Sequence, residues 1–203
     1  LDFKCDLNID CKQFLFLYKF NMHLWKDIQP FVDKKIWTIN VVVDIPKWSN
    51  NKYEYDEDRW CFKLDRVIHH SMYYPCDYWF IPQTLSKDWD PCDVFLLVTN
   101  PTFPWCLVQA RPIWILYTTD NAWEDPKIIA VPISKIDPRR EEIHHIDDLW
   151  QHMKKEMLLF FKEIKILEHD KYEKVEVKWF GSVLEAQEEI ITSAKRFQKN
   201  HKK

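Results

Sequence analysis

The sequence predicts a mainly β domain, a small barrel or sandwich, closed by two helices towards its C-terminus. Three observations predict it. Short runs rich in β-branched and aromatic residues recur from Thr38 to Val131 with turn residues between them. Two later segments carry apolar residues at helical spacing, each behind a capping signal. No internal repeat, low-complexity stretch or linker divides the 203 residues, a length that suits one domain with a sizeable core.

Taken in order, residues 1 to about 20 mix apolar and charged side chains without a clear period and read as an N-terminal arm of unknown role. Asn21 to Asp27 reads as a turn anchored by Trp25. Thr38 to Ile45 is a strand, rich in β-branched residues, stopped by Pro46 and carrying the Asp44 carboxylate near its end. Lys52 to Tyr55 and Phe62 to Val67 are short strands joined by the acidic turn Asp56 to Trp60. Alternation puts Lys52 and Glu54 on one face, with Tyr53 and Tyr55 on the other. That pair suits a phosphate oxygen and a metal-held water, and a surface ion pair on an edge strand accounts for it equally well.

Tyr73 to Leu85 reads as an aromatic loop through Tyr74, Pro75, Tyr78 and Pro82, in which a tyrosine hydroxyl is available to a phosphate although such rings more often simply pack. Val94 to Val98, Cys106 to Ala110, Ile113 to Tyr117 and Ile128 to Val131 complete the strand set. Leu149, Met153, Met157, Phe160, Ile164 and Leu167 predict a helix behind an Asp148 to Gln151 capping box. Val183, Ala186, Ile190, Ala194 and Phe197 predict a second behind Ser182 and Glu185, with a strand from Lys174 to Phe180 between the two. The domain is expected over residues 21–198, and residues 199–203 form a basic tail expected to fray.

The net charge of −3, with both signs interspersed, gives no basic stripe for nucleic acid. No apolar run reaches the ~18 residues that span a bilayer, and Phe14 to Phe20 lacks the features of a secretory leader. Six cysteines show no Cys-x-x-Cys spacing and read as free thiols in a reducing, cytoplasmic setting. The first residue is Leu1 and not methionine, so a start upstream of it is among the expectations. His69-His70 and His144-His145 have no partners at ligand spacing and read as surface or helix-start residues.

The chemistry gathers at Asp88-Trp89-Asp90-Pro91-Cys92-Asp93, with Asp120 and Asp125 downstream. Three aspartates in six residues, stiffened by Pro91 and followed by an apolar strand, present acceptor-only oxygens at one strand mouth. Hard divalent cations want that donor set, and Mg²⁺ usually sits where a phosphate completes its shell. Lys52, Arg66 and Lys127 are cations for such a phosphate. The residues therefore point to metal-assisted phosphoryl chemistry.

One glycine, Gly181, stands against eleven tryptophans, where a soluble chain averages about 7% Gly. Several tryptophans occupy turn settings such as Pro46-Lys47-Trp48-Ser49 and Phe103-Pro104-Trp105. A bulky residue in left-handed backbone costs roughly 1–2 kcal/mol, so five to ten of them approach the ~5–15 kcal/mol stability of a whole domain. The expectation is that most stand where a UGA codon, read as glycine in the source cell, has been rendered as tryptophan.

With these residues in view, the chain from about Asn21 to Phe197 resembles the soluble family I inorganic pyrophosphatases. The likeness rests on the order of Val43-Asp44-Ile45-Pro46, Lys52-Tyr53-Glu54, Leu64-Asp65-Arg66, the run from Tyr74 to Pro82, the run from Asp88 to Val94, Asp120 to Lys127, and Phe160 to Lys165. The family's Asp-Gly-Asp-Pro-x-Asp motif is met in all but its Gly. Family glycines meet Trp again at 48, 60, 79, 105, 114, 123 and 179, with 37 and 150 less closely aligned. The resemblance implies a five-stranded OB-like closed β-barrel flanked by two C-terminal helices. It implies hydrolysis of diphosphate to two phosphates by a water activated by several Mg²⁺ ions per active site, in a cytoplasmic homo-oligomer, a hexamer in preference to a dimer. Carried over by position, Asp88, Asp93 and Asp125 ligate the tightest metal site, Asp120 shares a further metal with Asp125, and Glu54 is an outer ligand. Asp90 matches the residue that orients and deprotonates the attacking water. Lys52, Arg66, Tyr78, Lys127 and Lys165 match phosphate-binding side chains.

Two departures stand out: Asp44 replaces a family Glu, and Ile164 replaces a phosphate-binding Tyr. Two other readings stay open in the sequence. A barrel in which the tryptophans are genuine would place Trp89 between two ligands and be catalytically impaired. An OB-type binder of single-stranded nucleic acid would stack bases on exposed rings, although the carboxylate cluster repels a phosphate backbone. Diphosphate is the expected partner, with neither nucleic acid nor membrane.

Overall fold

The structure, a computed structural model, describes residues 23–56, 59, 61–120, 123–168 and 176–201. The residue 1–20 arm, Trp60 and the start of the expected 174–180 strand therefore lie outside the described residues. In chain order the strands are β1 (Phe31–Asp33), β2 (Thr38–Ile45), β3 (Asn51–Asp56), β4 (Cys61–Val67), β5 (Asp77–Ile81), β6 (Cys92–Leu96), β7 (Leu107–Asp120), β8 (Trp123–Glu124) and β9 (Lys127–Pro132). Helix α1 (Gln151–Glu163), strand β10 (Glu176–Gly181) and helix α2 (Val183–His201) follow.

Strands β2, β5, β6, β9 and β7 are neighbours in that order, and β7 returns to β2 through pairs from Ile39↔Ala110 to Val42↔Leu107. The sheet is thus a closed five-stranded, OB-like barrel, with β6 and β9 its parallel pair. Closure leaves these five strands no free edge among themselves. Strands β3 and β4 form a separate hairpin beside it.

Alternation sorts the side chains into two apolar layers. Val41, Val43, Val94, Leu96, Ile128 and Ala130 face one cluster, which Ala186 and Ile190 of α2 join. Phe95, Ile113, Ile129 and Val131 face the other, covered by Met157, Phe160 and Phe161 of α1. Because both faces are covered, the strands read as continuous apolar runs. Trp25 is buried, its Nε1 donates to Thr84 O at 2.9 Å, and its ring meets Phe197 edge-on at 5.3 Å, so the expected anchor is real.

The structure corrects the sequence reading in four places. Asp77–Ile81, inside the expected aromatic loop, is barrel strand β5, since Pro75 and Pro82 bracket it instead of breaking it. The two strands expected over 106–117 are one, β7, in which Pro112 adjoins a register shift that absorbs its missing N–H. Asp148 does not cap α1: its carboxylate accepts from the His144 and His145 amides at 2.7 Å, within a short 3₁₀ turn, and α1 starts at Gln151 and ends before Ile164. The expected frayed tail is helical through His201, whose ring stacks on Phe197 at 4.0 Å.

The second capping box forms as expected. Ser182 Oγ accepts from the Glu185 amide at 3.2 Å, and Glu185 Oε2 accepts from the Ser182 amide at 2.7 Å. Just before it, a Cβ added at Gly181 would lie 2.6 Å from Ile115 Cγ2 and 2.8 Å from Tyr117 Cε2. Gly181→Ala is expected to lower stability by about 1–3 kcal/mol, the usual cost of overpacking, read as a lower urea midpoint at unchanged slope. No described helix is long and apolar enough to cross a membrane. The described cysteines, Cys61, Cys76, Cys92 and Cys106, are free thiols.

Candidate active site

The β5–β6 turn is held by its own backbone: the Ser86 amide donates to Asp90 O at 2.7 Å, and the Asp90 amide to Asp88 Oδ1 at 3.1 Å. This folds Asp88 and Asp90 towards β6, where Asp93 sits between the buried Cys92 and Val94. The β7–β9 connection brings Asp125 alongside, its amide bonded to Thr118 O at 2.9 Å, and Lys127 opens β9. The β3–β4 hairpin supplies Lys52, Glu54 and Arg66, and the turn after α1 supplies Lys165.

These side chains meet. A cavity of about 260 Å³ is lined by Lys52, Arg66, Tyr78, Asp88, Asp90, Asp93, Asp125, Lys127 and Lys165, over apolar Tyr74, Phe95, Phe160 and Ile164. A second, also about 260 Å³, adjoins it and is lined by Asp44 and Glu54, sharing Lys52, Tyr78, Asp90 and Asp93 with the first. Asp120 ends β7, and its side chain lies outside the described part of the structure. Trp89 is 66% exposed and does not line the cavity its two neighbours share.

Asp93 is the hub, accepting from the Tyr78 hydroxyl and the Lys127 ammonium. Lys127 also donates to Asp125. Burial works against the Lys127 charge, but Asp125 and Asp93 more than offset it and the ammonium pKa is raised. Burial, then the Asp93 and Asp125 charges, raises the Tyr78 phenol, which stays a neutral donor. Lys52 donates to Glu54 Oε1 at 2.7 Å and lies 3.8 Å from Asp65.

Carboxylate charge exceeds what these cations neutralise. Burial pushes the Asp88 carboxyl up to about 6, with Asp125 and Asp93 adding to it against the Asp90 amide. Partial desolvation raises Asp90, which stands at the rim, and Asp93 raises it further. Asp125 is raised by burial although Lys127 opposes it. Asp44 is raised by burial and by Asp93, and its Oδ1 is buried with no hydrogen-bond partner. Crowded, acceptor-only oxygens held above their usual range, one of them orphaned, fit hard divalent cations. Among the described residues, however, no three His, Cys, Asp or Glu side chains close on one point as ligands, and the Lys127 ammonium is bonded to both Asp93 and Asp125.

Two site residues escaped the sequence reading. Glu168 Oε1 accepts from Arg66 Nε at 3.1 Å across 102 residues, and Asp65 pairs with the same guanidinium. Asp65 adjoins Arg66 in the chain, so the neighbourhood was visible although alternation predicts opposite faces. No local signal links Glu168 to a hairpin so distant in sequence.

The closed barrel thus carries a small cavity of carboxylates, ammonium groups and a guanidinium, a donor and acceptor set chemically suited to a compact polyanion together with cations. Residues 41–198 match the family model described as inorganic pyrophosphatase. The chain is 44% identical over 158 residues to an inorganic pyrophosphatase of Sulfolobus acidocaldarius, covering 78% of this chain and 90% of that one. A relative of the same name from Geobacillus stearothermophilus is 44% identical over 130 residues, 64% of this chain and 78% of that one. The fold superposes on the crystal structure of an inorganic pyrophosphatase from Thermus thermophilus with TM-score 0.81 at 35% identity, covering 87% and 99% of the two chains. The chain belongs to the inorganic pyrophosphatase family.

Proposed function

We propose that the protein hydrolyses inorganic diphosphate to two phosphates with Mg²⁺, and that it does so at the paired cavities around Asp93. The observation that carries this reading is the convergence of carboxylates and cations from separate loops and strands on one opening of about 260 Å³. Asp88, Asp93 and Asp125 would hold metal, with Asp120 and Glu54 as further ligands. When bound, Mg²⁺ supplies neutralisation of phosphoryl oxygens and lowers the pKa of water beside it.

The chain's own residues do the rest. Lys52, Arg66, Lys127 and Lys165 bind the substrate oxygens, and the neutral Tyr78 hydroxyl donates a hydrogen bond to one of them when it releases Asp93. Fixed donors aimed at the departing phosphate stabilise the charge that gathers there. Asp90, at the shared rim and held by no described side-chain donor, takes the proton of the attacking water. Glu168 and Asp65 orient the Arg66 guanidinium. Ile164 offers no donor, so substrate is held by the remaining cations.

We place the domain at residues 21–198, in the cytoplasm, as a homo-oligomer with a hexamer favoured over a dimer; light scattering on the purified protein reports that state. The central test is phosphate release from diphosphate by protein purified from its own cells. Release in millimolar Mg²⁺ that vanishes in EDTA is expected. Folded protein that releases none in Mg²⁺ would overturn the reading.

A further inference from the structure

Five described residues other than glycine have φ in the left-handed region, and four of them are tryptophan: Trp37 at 54°, Trp48 at 67°, Trp89 at 74° and Trp105 at 82°. The fifth is Gln83 at 50°. That region is open to glycine and, less readily, to Asn and Asp, while a bulky side chain there is an outlier. Gly181 does not have positive φ, and its lack of a Cβ serves close packing against β7. Four of the five described left-handed positions therefore carry tryptophan.

At positions 48, 89 and 105 the fold uses the backbone and not the ring. The Trp48 amide donates to Tyr74 O at 2.8 Å, the Trp105 amide to Val43 O at 3.1 Å and the Trp89 amide to Ser86 O at 3.3 Å. The residues themselves are 61%, 52% and 66% exposed. Their ring contacts are surface ones: Lys47 passes 4.9 Å over Trp48, and Phe62 lies 5.8 Å from Trp105. Trp37 meets only the edge of Phe31 among the described ring contacts, at 6.0 Å. Trp25 is the internal control, being buried with its indole N–H paired. Buried Trp79 and Trp114 fail that standard, for their Nε1 atoms have no hydrogen-bond partner.

We propose that the polypeptide made in its native cell carries glycine at positions 37, 48, 89 and 105 and tryptophan at position 25, a UGA codon being read there as glycine and here as tryptophan. Glycine adopts these φ values without a Cβ penalty, which releases the β1–β2 turn, the loop after β2, the Asp88–Asp93 turn and the loop before β7 from strain. The inference concerns residue identity and stands on backbone angles, so it does not depend on the catalytic reading.

Peptide mass spectrometry of the protein purified from its own cells tests it. Peptides covering the four positions are expected to be lighter by one Trp-to-Gly difference per position, with the Trp25 peptide at its tryptophan mass. Tryptophan at any of the four, or glycine at position 25, would overturn it. Melting of recombinant protein gives a second readout: the quadruple variant W37G/W48G/W89G/W105G is expected to melt higher than the chain as written by more than about 10 °C, whereas W25G melts lower. A chain as written with no cooperative melt, beside a quadruple variant that has one, supports the same conclusion. A quadruple variant that melts lower than the chain as written contradicts it. Phosphate release is scored separately, so either proposal can fail alone.

Discussion

Asp90→Asn is expected to lower turnover on diphosphate by about 10²–10⁴-fold, the usual contribution of a positioned general base, while Mg²⁺ affinity changes far less. The amide keeps the size and the turn geometry, because the Asp90 contacts that shape the loop are its backbone N–H to Asp88 and its backbone carbonyl to Ser86. What it loses is the capacity to accept a proton. The raised carboxyl of Asp90 suits that role, since a base whose pKa lies nearer the working pH holds a proton more readily in the transition state. Turnover at saturating substrate, set beside Mg²⁺ titration by calorimetry, separates the two effects. Equal loss of both would contradict the base assignment and make Asp90 a ligand.

Among single substitutions, Lys127→Met is expected to have the largest effect on stability. The Lys127 side chain is 8% exposed and bridges Asp93 and Asp125, which keep 26% and 20% of theirs. Removing one member of a buried pair leaves charge uncompensated at a cost of about 3–5 kcal/mol. Partial exposure of both carboxylates argues for the lower end. For a domain of this size that is a Tm lower by on the order of 10 °C in EDTA. The freed carboxylates are then available to a divalent cation, and a ligand at a hundred times its Kd restores about 2.7 kcal/mol. Millimolar Mg²⁺ should therefore raise the Tm of the variant more than that of the parent, while activity stays low for want of the ammonium. An equal Mg²⁺ shift in both would show that Lys127 does not compete with metal for Asp93 and Asp125.

Much of the barrel was legible because both of its faces are apolar. Runs such as Val41-Val42-Val43 and Ile128-Ile129-Ala130 have one stable destination, a strand covered on each side, and both lie in it fully buried. Strand β5 was hidden because Asp77 and Tyr78 interrupt its apolar pattern, yet Asp77 is buried while accepting from the Lys47 and Thr102 amides at 2.6 and 3.1 Å and from the Thr102 hydroxyl at 2.7 Å. Those partners lie 30 and 25 residues away, beyond any local window.

By itself the sequence determined the acidic motif, the strand that follows it and the cations available to it, because a Pro-stiffened turn of aspartates before an apolar run has strong local chemistry. Only the tertiary structure decided that Asp88, Asp90, Asp93 and Asp125 share one cavity with Lys52 and Arg66, that Glu168 holds Arg66, and that Lys127 bridges Asp93 and Asp125. The physical reason is barrel closure: which loops end beside one another is fixed by long-range strand pairing, and no spacing along the chain encodes it.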